Sequence, residues 1–289
     1  MVIKMKKGYA LLAALLLLTV SAAHQAARSV PAAAAVRTPL PIVMYHQVSQ
    51  NARRAGAYCV TLEELEADFR YIKACGYTAV TTQTLLDAVD GKSDLPEKPI
   101  IITFDDGFES VAQYVEPLLK KYGLCAVVSV VGAYTDRYSQ SDDHSVNYAY
   151  LTWEEVARLS GEDCVEIQNH SYDLHQLDNC GRKGAKKRSG ESEEEYRRFL
   201  QNDLQKMQSL CLENGVKLPT AFTYPFGCYS KESKEIIKAM GFRAAYICEE
   251  RMNYVDLDST DWLYRLCRYN RPHGVETALF FSKLSVSPD

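Results

Sequence analysis

The regular alternation of short apolar runs with amphipathic segments constrains the fold of this chain more than any other feature. Apolar runs at 99–104, 124–131 and 164–169 have the length of buried strands. Amphipathic segments with helix-capping signals lie between them. Strands that alternate with helices form a parallel sheet. Seven or eight such units predict an α/β fold, a distorted (β/α)7–8 barrel in a single domain.

A doubly wound open sheet is the alternative to a barrel, but no GxGxxG motif follows the first predicted strand. The predicted strands are 41–45, 77–80, 99–104, 124–131, 164–169, 221–224, 243–248 and 263–269. The predicted helices are 61–76, 85–89, 110–122, 152–161, 192–215, 231–240 and 275–284.

The N-terminus has the pattern of a targeting segment. Three lysines precede an apolar stretch of 16 residues from Gly8 to Ala23, which is shorter than the roughly 20 residues of a membrane-spanning helix. We therefore expect residues 1–23 to be a signal peptide, with an uncleaved membrane anchor as the alternative. An Ala- and Pro-rich linker over 24–40 would then precede a catalytic domain over 41–289. This organisation predicts an exported protein, extracellular or attached to the cell surface.

Charge and cysteine content narrow the class of protein further. The formal net charge of −4 excludes the basic surplus that is typical of a nucleic-acid-binding protein. The nine cysteines are odd in number and include no CxxC pair, although exported proteins often form disulfides. We expect mostly unpaired cysteines that pack as small hydrophobic residues, with one or two disulfides as the alternative. We also expect a monomer.

Polar residues that carry chemistry follow three of the predicted strands. His46 follows the first strand, Asp105 and Asp106 follow the strand at 99–104, and His170 follows the strand at 164–169, with His175 five residues later. Active sites of parallel barrels lie at the carboxyl ends of the strands. These five side chains are therefore expected to lie at one rim of the barrel.

Two imidazoles and one carboxylate are a common ligand set of a catalytic metal ion. Adjacent aspartates at a strand end point in different directions, so one can bind a metal while the other accepts a proton. A bound divalent ion lowers the pKa of water from 15.7 toward ~7. An Asp-Asp-Gly turn or a pair of histidines is a weak signal alone, but together at strand ends they indicate a metal-dependent hydrolase.

Three sequence motifs carry a resemblance to a known family. The segment Thr103 to Gly107 (TFDDG) resembles the signature of the polysaccharide deacetylases, the NodB-homology or carbohydrate esterase family 4 group. His170 to His175 resembles the second family motif and Tyr224 to Gly227 the third. Met44 to Val48 resembles the opening of the branch that includes poly-N-acetylglucosamine deacetylases. The resemblance extends from about Pro41 to the C-terminus, with the core motifs within 98–289.

The resemblance implies a role for each matching residue. Asp106, His170 and His175 would hold a divalent metal, most often zinc and in some members cobalt or nickel. Asp105 would be the general base that deprotonates the attacking water. The backbone N–H of Phe226 would stabilise the oxyanion, a type of interaction worth roughly 3 kcal/mol per donor.

The general acid is less certain from the sequence, because this chain departs from the common family pattern. The second motif spaces its histidines five residues apart instead of four, as in the poly-N-acetylglucosamine branch, which excludes a regular helix there. The Leu-x-His motif of most members is replaced by Leu266-Cys267-Arg268. In the branch with permuted motifs the acid would be His46, and His273 is the alternative.

The remaining site predictions concern residues around the catalytic set. We expect Tyr224, Pro225, Tyr172, Arg268 and His273 to contribute to substrate binding. Tyr172 is a candidate for stacking on a sugar ring, with core packing as the alternative. Arg268 is expected either to orient Asp105, as a family arginine does, or to form a surface salt bridge.

The sequence therefore predicts an exported, metal-dependent N-deacetylase whose substrate is an N-acetylated polysaccharide or oligosaccharide containing N-acetylglucosamine. An esterase that removes O-acetyl groups is the alternative within the enzyme class. A catalytically silent glycan-binding protein and a barrel with a purely structural metal are alternatives from other classes. The intact Asp105, Asp106, His170 and His175 set argues against both.

Overall fold

The described part of the chain begins at the start of a compact unit. The computed structural model describes residues 38–141, 143–176 and 182–284 of the 289. The compact unit begins at Thr38, so Pro39–Leu40, which the predicted linker includes, already pair with Asn253–Tyr254. The predicted signal peptide over 1–23 and the linker residues up to 37 lie outside the described residues.

The centre of the fold is a parallel sheet, as the alternation of elements predicts. The strands of the described residues are β1 Pro39–Leu40, β2 Ile42–Tyr45, β3 Gln47–Ser49, β4 Cys59–Thr61, β5 Thr78–Ala79, β6 Pro99–Phe104, β7 Ala126–Val130, β8 Val165–Asn169, β9 Ala221–Thr223, β10 Ala244–Tyr246, β11 Asn253–Tyr254 and β12 Tyr269–Asn270. Eight of them belong to the central sheet. Seven lie in the order β10-β9-β8-β7-β6-β2-β12, and β5 also pairs with β6.

The sheet curls into a half-barrel that one segment nearly closes. Leu266 forms a parallel bridge with Tyr246 at the β10 edge, and a few residues later β12 pairs with β2 at the other edge. Arg271 continues this contact by donating its backbone N–H to the carbonyl of Met44. The (β/α) barrel predicted from the sequence is thereby confirmed in its distorted form.

Helices surround the sheet and begin where the sequence signals them. Capping boxes are formed by Thr61 with Glu64, by Thr152 with Glu155 and by Ser192 with Glu195, each satisfying free N–H groups at a helix start. The helices are α1 Leu62–Ala74, α2 Thr82–Val89, α3 Glu116–Tyr122, α4 Gly132–Ser139, α5 Trp153–Ser160, α6 Glu193–Glu213, α7 Ser233–Ala239 and α8 Thr277–Ser282.

The structure differs from the predicted elements in three places. The single helix predicted over 110–122 is a π-helical turn at Val111–Val115 followed by α3, because Pro117 has no N–H to complete the α-helical ladder. The strand predicted over 263–269 begins as a 3₁₀ helix at Asp261–Arg265, and only Leu266 and Tyr269 of it pair with the sheet, since a short apolar run does not distinguish a strand from a helical turn. Helix α4 was not predicted.

Burial of apolar side chains on both faces of the sheet forms the core. Val43, Ile102 and Val128 belong to neighbouring strands and are completely buried, as expected for a parallel sheet covered by helices. No helix in the described ranges is long and apolar enough to cross a membrane.

The eight cysteines within the described residues are all free thiols. Cys267 is buried, in agreement with the expectation that cysteines pack as small hydrophobic residues, but Cys248, in the strand predicted over 243–248, is exposed and does not follow it. The strand β10 ends two residues earlier, at Tyr246, so Cys248 lies beyond the core. Cys180 lies outside the described residues.

Candidate active site and metal centre

The five predicted polar residues lie together at the carboxyl ends of the strands. His46 follows β2, Asp105 and Asp106 follow β6, and His170 follows β8. Backbone hydrogen bonds continue the sheet past these ends, from Asp105 N–H to the Tyr45 carbonyl and from His170 N–H to the Val130 carbonyl. The side chains therefore start from a rigid edge of the sheet.

Asp106, His170 and His175 bring three metal-binding atoms to one point. Nε2 of His170 lies 3.4 Å from Oδ1 of Asp106, and Nε2 of His175 lies 3.2 Å from the same oxygen. One donor atom of each residue lies within 4.8 Å of the others. Oδ1 of Asp106 is buried and accepts no hydrogen bond from the described residues. A buried acceptor without a donor is costly, so this oxygen suits a cation.

The tautomer of His170 also suits a metal ligand. Its Nδ1 lies 2.7 Å from the backbone carbonyl of Thr223, which can only accept a hydrogen bond. In the neutral form Nδ1 therefore carries the proton, and the lone pair of Nε2, on the side of Asp106, is left for a metal ion. A hydrogen bond of this kind fixes the orientation of a metal-binding histidine.

Backbone strain is concentrated in the three motifs. Among the described residues, positive φ angles outside glycine occur at Asp106 (72°), Ser171 (74°) and Phe226 (58°), one in each motif. Such conformations are costly for residues with a Cβ and accumulate at functional sites. Gly107 follows in the same region at φ 75°, and a Cβ there would lie 2.9 Å from Cγ1 of Val130. The turn after β6 therefore requires glycine at this position.

The loop between His170 and His175 is a turn held by side chains, which explains the five-residue spacing. Asn169 Oδ1 accepts the N–H of Ser171, whose hydroxyl accepts the N–H of Leu174. From α6, the carboxylate of Asp203 accepts the N–H groups of Tyr172 and Asp173, each at 2.8 Å. Asp203 had no sequence signal, because it lies on a distant helix and belongs to no motif.

Asp105 forms a buried, two-pronged ion pair with Arg268. The Nη1–Oδ1 distance is 2.7 Å and the Nη2–Oδ2 distance is 2.8 Å, and both side chains are almost fully buried. Burial raises the pKa of Asp105, but the positive charge of Arg268 and its hydrogen bonds outweigh burial and hold the pKa well below its ordinary value. Asp105 is thus ionised, and Arg268 orients it from the core. It does not form a surface salt bridge.

His46 lies in the wall of the same cleft. Its ring is partly buried, its Nδ1 has no hydrogen-bond partner among the described residues, and it packs edge-on against Tyr58 at 4.9 Å. Burial lowers the pKa of His46, and the negative charges of Asp105 and Asp106 offset this only in part. The Nδ1 atom of His46 is thus not engaged by another group of the described residues.

The cleft has a volume of about 690 Å³, which is large enough for one or two sugar rings. Phe226 lines it and its ring packs 4.4 Å from that of His175. Several lining residues had no sequence signal, because they belong to no motif. They are Arg54, Tyr58, Cys59, Lys183, Cys248, Glu250 and Asn270.

None of the five predicted substrate-binding residues lines this cleft, and Arg268 is fully buried and pairs with Asp105. Tyr224 is buried in the apolar cluster under α6 and α7, and Pro225 is buried beside it. Tyr172 donates its hydroxyl to Asp136, and Lys206 covers its ring at 3.5 Å. His273 pairs through Nδ1 with Glu64 at 2.8 Å, at the start of α1.

The sequence and the fold also match known proteins. The sequence profile of the polysaccharide deacetylase family matches residues 92–245. The chain belongs to the polysaccharide deacetylase family. The matched range contains all three family motifs. His46 lies upstream of residue 92, outside the matched range.

Individual relatives are distant. A poly-beta-1,6-N-acetyl-D-glucosamine N-deacetylase of Escherichia coli K12 is 25% identical over 235 residues, which cover 75% of this chain and 35% of that protein. The enzyme of the same name from Staphylococcus epidermidis is 22% identical and covers 81% of this chain and 75% of its own length. This chain therefore spans about a third of the length of the E. coli relative.

The fold is shared with solved structures of deacetylases. A de-N-acetylase from Aggregatibacter actinomycetemcomitans superposes with a TM-score of 0.71 at 22% identity, covering 85% of this chain and 99% of that one. At this identity the similarity establishes the fold, and the family assignment rests on the sequence profile.

Proposed function

We propose that this chain is an exported, metal-dependent hydrolase that removes N-acetyl groups from a glycan containing N-acetylglucosamine. The observation that carries the proposal is the position of the His170 and His175 rings next to Oδ1 of Asp106, a buried oxygen without a hydrogen-bond partner among the described residues. The ionised Asp105 lies beside them. Family membership and the activity for which the E. coli and Staphylococcus relatives are named support the choice of an acetamide as substrate.

Asp106, His170 and His175 would hold the metal. A divalent cation bound there supplies a Lewis acid that polarises a carbonyl and lowers the pKa of water. Two imidazoles and a carboxylate suit zinc and also cobalt or nickel. Three protein ligands leave open positions, which supports a catalytic role over a purely structural one.

Asp105 would accept a proton from the water that attacks the acetamide carbonyl. Arg268 uses one lone pair on each carboxylate oxygen, so each oxygen retains a second acceptor position. Because the ion pair keeps the pKa of Asp105 low, the group is ready to accept a proton at any physiological pH. The backbone N–H of Phe226 would stabilise the negative charge that develops on the carbonyl oxygen.

His46 would donate a proton to the departing sugar amine. An amide anion is too poor a leaving group to depart without one. The positions of the two candidate acids support His46, because it lines the cleft whereas His273 is paired with Glu64 outside the cleft lining. Burial outweighs the negative charges of Asp105 and Asp106 and lowers the pKa of His46, so the imidazolium would be a stronger proton donor than a free one.

The place of action follows from the N-terminal sequence and the relatives. Residues 1–23 would act as a signal peptide or anchor, and 41–289 would be the catalytic domain. Poly-N-acetylglucosamine, the polymer for which the relatives are named, is the first substrate to test. Acetylated glucosamine polymers of the cell wall are the next.

Replacing each histidine by glutamine tests the assignment. We expect His46→Gln to reduce acetate release from an N-acetylated glucosamine oligomer by about 10²–10⁴-fold. His273→Gln is the matched control and should remain close to wild type. Equal losses in the two variants, or full activity of His46→Gln, would contradict the assignment. Release from O-acetylated xylan but not from the N-acetylated oligomer, with His46 dispensable, would indicate an esterase.

A further inference from the structure

A second cluster of metal-binding side chains lies outside the proposed catalytic centre. It consists of Glu109, His144 and Glu155, which come from three separate segments of the chain. Nδ1 of His144 lies 3.6 Å from Oε1 of Glu109 and 3.7 Å from Oε1 of Glu155. One donor atom from each of the three lies within 4.8 Å of the others.

No lysine or arginine of the described residues forms an ion pair with Glu109 or Glu155 within 4 Å, although the positive charge of Arg158 acts on Glu155 from a greater distance. The Glu109 side chain is only 2% exposed and that of Glu155 19%. Burial and the nearby charge of Glu155 raise the pKa of Glu109. Two carboxylates held this close repel each other unless a cation or a proton lies between them.

Each carboxylate has one oxygen atom that accepts no hydrogen bond from the described residues. Oε2 of Glu155 accepts hydrogen bonds from the N–H and hydroxyl of Thr152 at 2.8 and 2.9 Å, which leaves Oε1 toward His144. Oε1 of Glu109 accepts a hydrogen bond from Gln113 at 3.0 Å. Oε2 of Glu109 is buried, and no donor of the described residues reaches it. This orphaned oxygen is an observation independent of the clustering.

We propose that Glu109, His144 and Glu155 form a second divalent-cation site of the zinc class. Tetrahedral zinc at 2.0–2.2 Å from its ligands places the donor atoms roughly 3.3–3.6 Å apart, close to the separations found here. An imidazole among the ligands favours zinc, cobalt, nickel or manganese over magnesium or calcium, which prefer oxygen. His144 is 46% exposed, so an ion and a water ligand can enter from solvent.

The position of the site indicates a structural role in the wall of the catalytic cleft. The segment after His144 contacts the cleft, because the carbonyl of Asn147 accepts a hydrogen bond from the lining residue Gln47 at 2.7 Å. Phe108, another lining residue, stacks on Tyr150 at 4.6 Å. A cation would fasten the segment that contains His144 to Glu109, three residues after the proposed ligand Asp106.

Metal content of the purified full chain tests the proposal independently of activity. After equilibration with zinc and removal of free ion, we expect two zinc ions per chain in wild type and one in Glu109→Gln and Glu155→Gln. His170→Ala should lose the other ion, and a His170→Ala/Glu155→Gln double variant should bind none. Glu155→Gln keeps a side chain that can cap α5, and Glu154→Gln, a neighbouring change of the same kind, is the control that should retain two.

Two results would overturn the proposal. One is a single zinc ion in wild type that His170→Ala removes, which would mean that a shared proton, and not a cation, joins Glu109 to Glu155. The other is a second ion that persists in both glutamine variants. A thermal measurement addresses variants that fold poorly. Zinc should raise the Tm of His170→Ala but not that of the double variant, and an equal increase in both would contradict the site.

Discussion

The buried ion pair between Arg268 and Asp105 makes a quantitative prediction about stability. Arg268→Gln removes the positive charge and leaves an ionised carboxylate in the core. Removal of one partner of a buried, well-oriented ion pair costs about 3–5 kcal/mol. Both side chains are almost fully buried, with contacts of 2.7 and 2.8 Å, so we expect a loss in that range. For a domain of this size the loss corresponds to a decrease of roughly 6–20 °C in Tm.

A nearby arginine provides the matched control. Arg265 also makes two contacts with a carboxylate, that of Glu249 at 2.8 and 3.0 Å, but both side chains are about half exposed. Solvent screens such a pair, which contributes about 0–1 kcal/mol. Urea denaturation of Arg268→Gln and Arg265→Gln at pH 7 therefore compares the same substitution in buried and exposed settings. A loss in Arg268→Gln no larger than that in Arg265→Gln would refute the reasoning.

The pH dependence of the same pair has a definite sign. The pKa of Asp105 is lower in the folded protein than in the unfolded chain, so its contribution to stability is complete above the unfolded pKa of about 3.9. That contribution is lost as the pH falls below this value. The stability difference between wild type and Arg268→Gln should therefore shrink as the pH is lowered from 7 to 3. A difference independent of pH would contradict this account.

Two further predictions concern backbone geometry and a buried carboxylate. Gly107→Ala should cost more free energy of unfolding than the ~1–2 kcal/mol of a positive φ alone, because its Cβ would meet Val130. Gly190→Ala, at φ 77° with open space around it, should cost only that amount. Equal losses on urea denaturation would contradict the clash. Burial raises the pKa of Asp203 to about 6. Between about pH 4 and 6 the folded state therefore binds more protons there than the unfolded chain. Stability falls as the pH rises through this range, by on the order of 3 kcal/mol. Asp203→Asn should remove that part of the slope, and parallel urea-stability curves for the two proteins would refute the assignment.

The rim of candidate site residues could be predicted from the sequence because strand ends in a parallel sheet meet at one edge. His46, Asp105 and His170 each follow an apolar run whose end is easy to locate. The proposed metal-binding trio followed from the family motifs, and the structure brings its potential donor atoms together. Local sequence sufficed where a residue's position is determined by its own strand.

Contacts between distant segments could not be predicted. Whether Arg268 lies in the core or on the surface depends on how the segment after β10 crosses back to the sheet. His46 and His273 are both candidates for the general acid in the sequence, and only the fold pairs His273 with Glu64. Tyr224 stands in a family motif but turns its ring into the core, because the strand that carries it continues the apolar cluster.

Acetate release by the full chain tests the central claim most directly. An N-acetylated glucosamine oligomer would be incubated with the wild-type protein after chelation, after zinc is restored, and with the Asp105→Asn variant loaded with zinc. We predict release that chelation abolishes, that zinc restores and that Asp105→Asn lacks although its metal content is unchanged. Absence of release from this oligomer, from peptidoglycan and from acetylated xylan, despite metal bound at Asp106, would contradict the proposed enzyme and favour a glycan-binding protein.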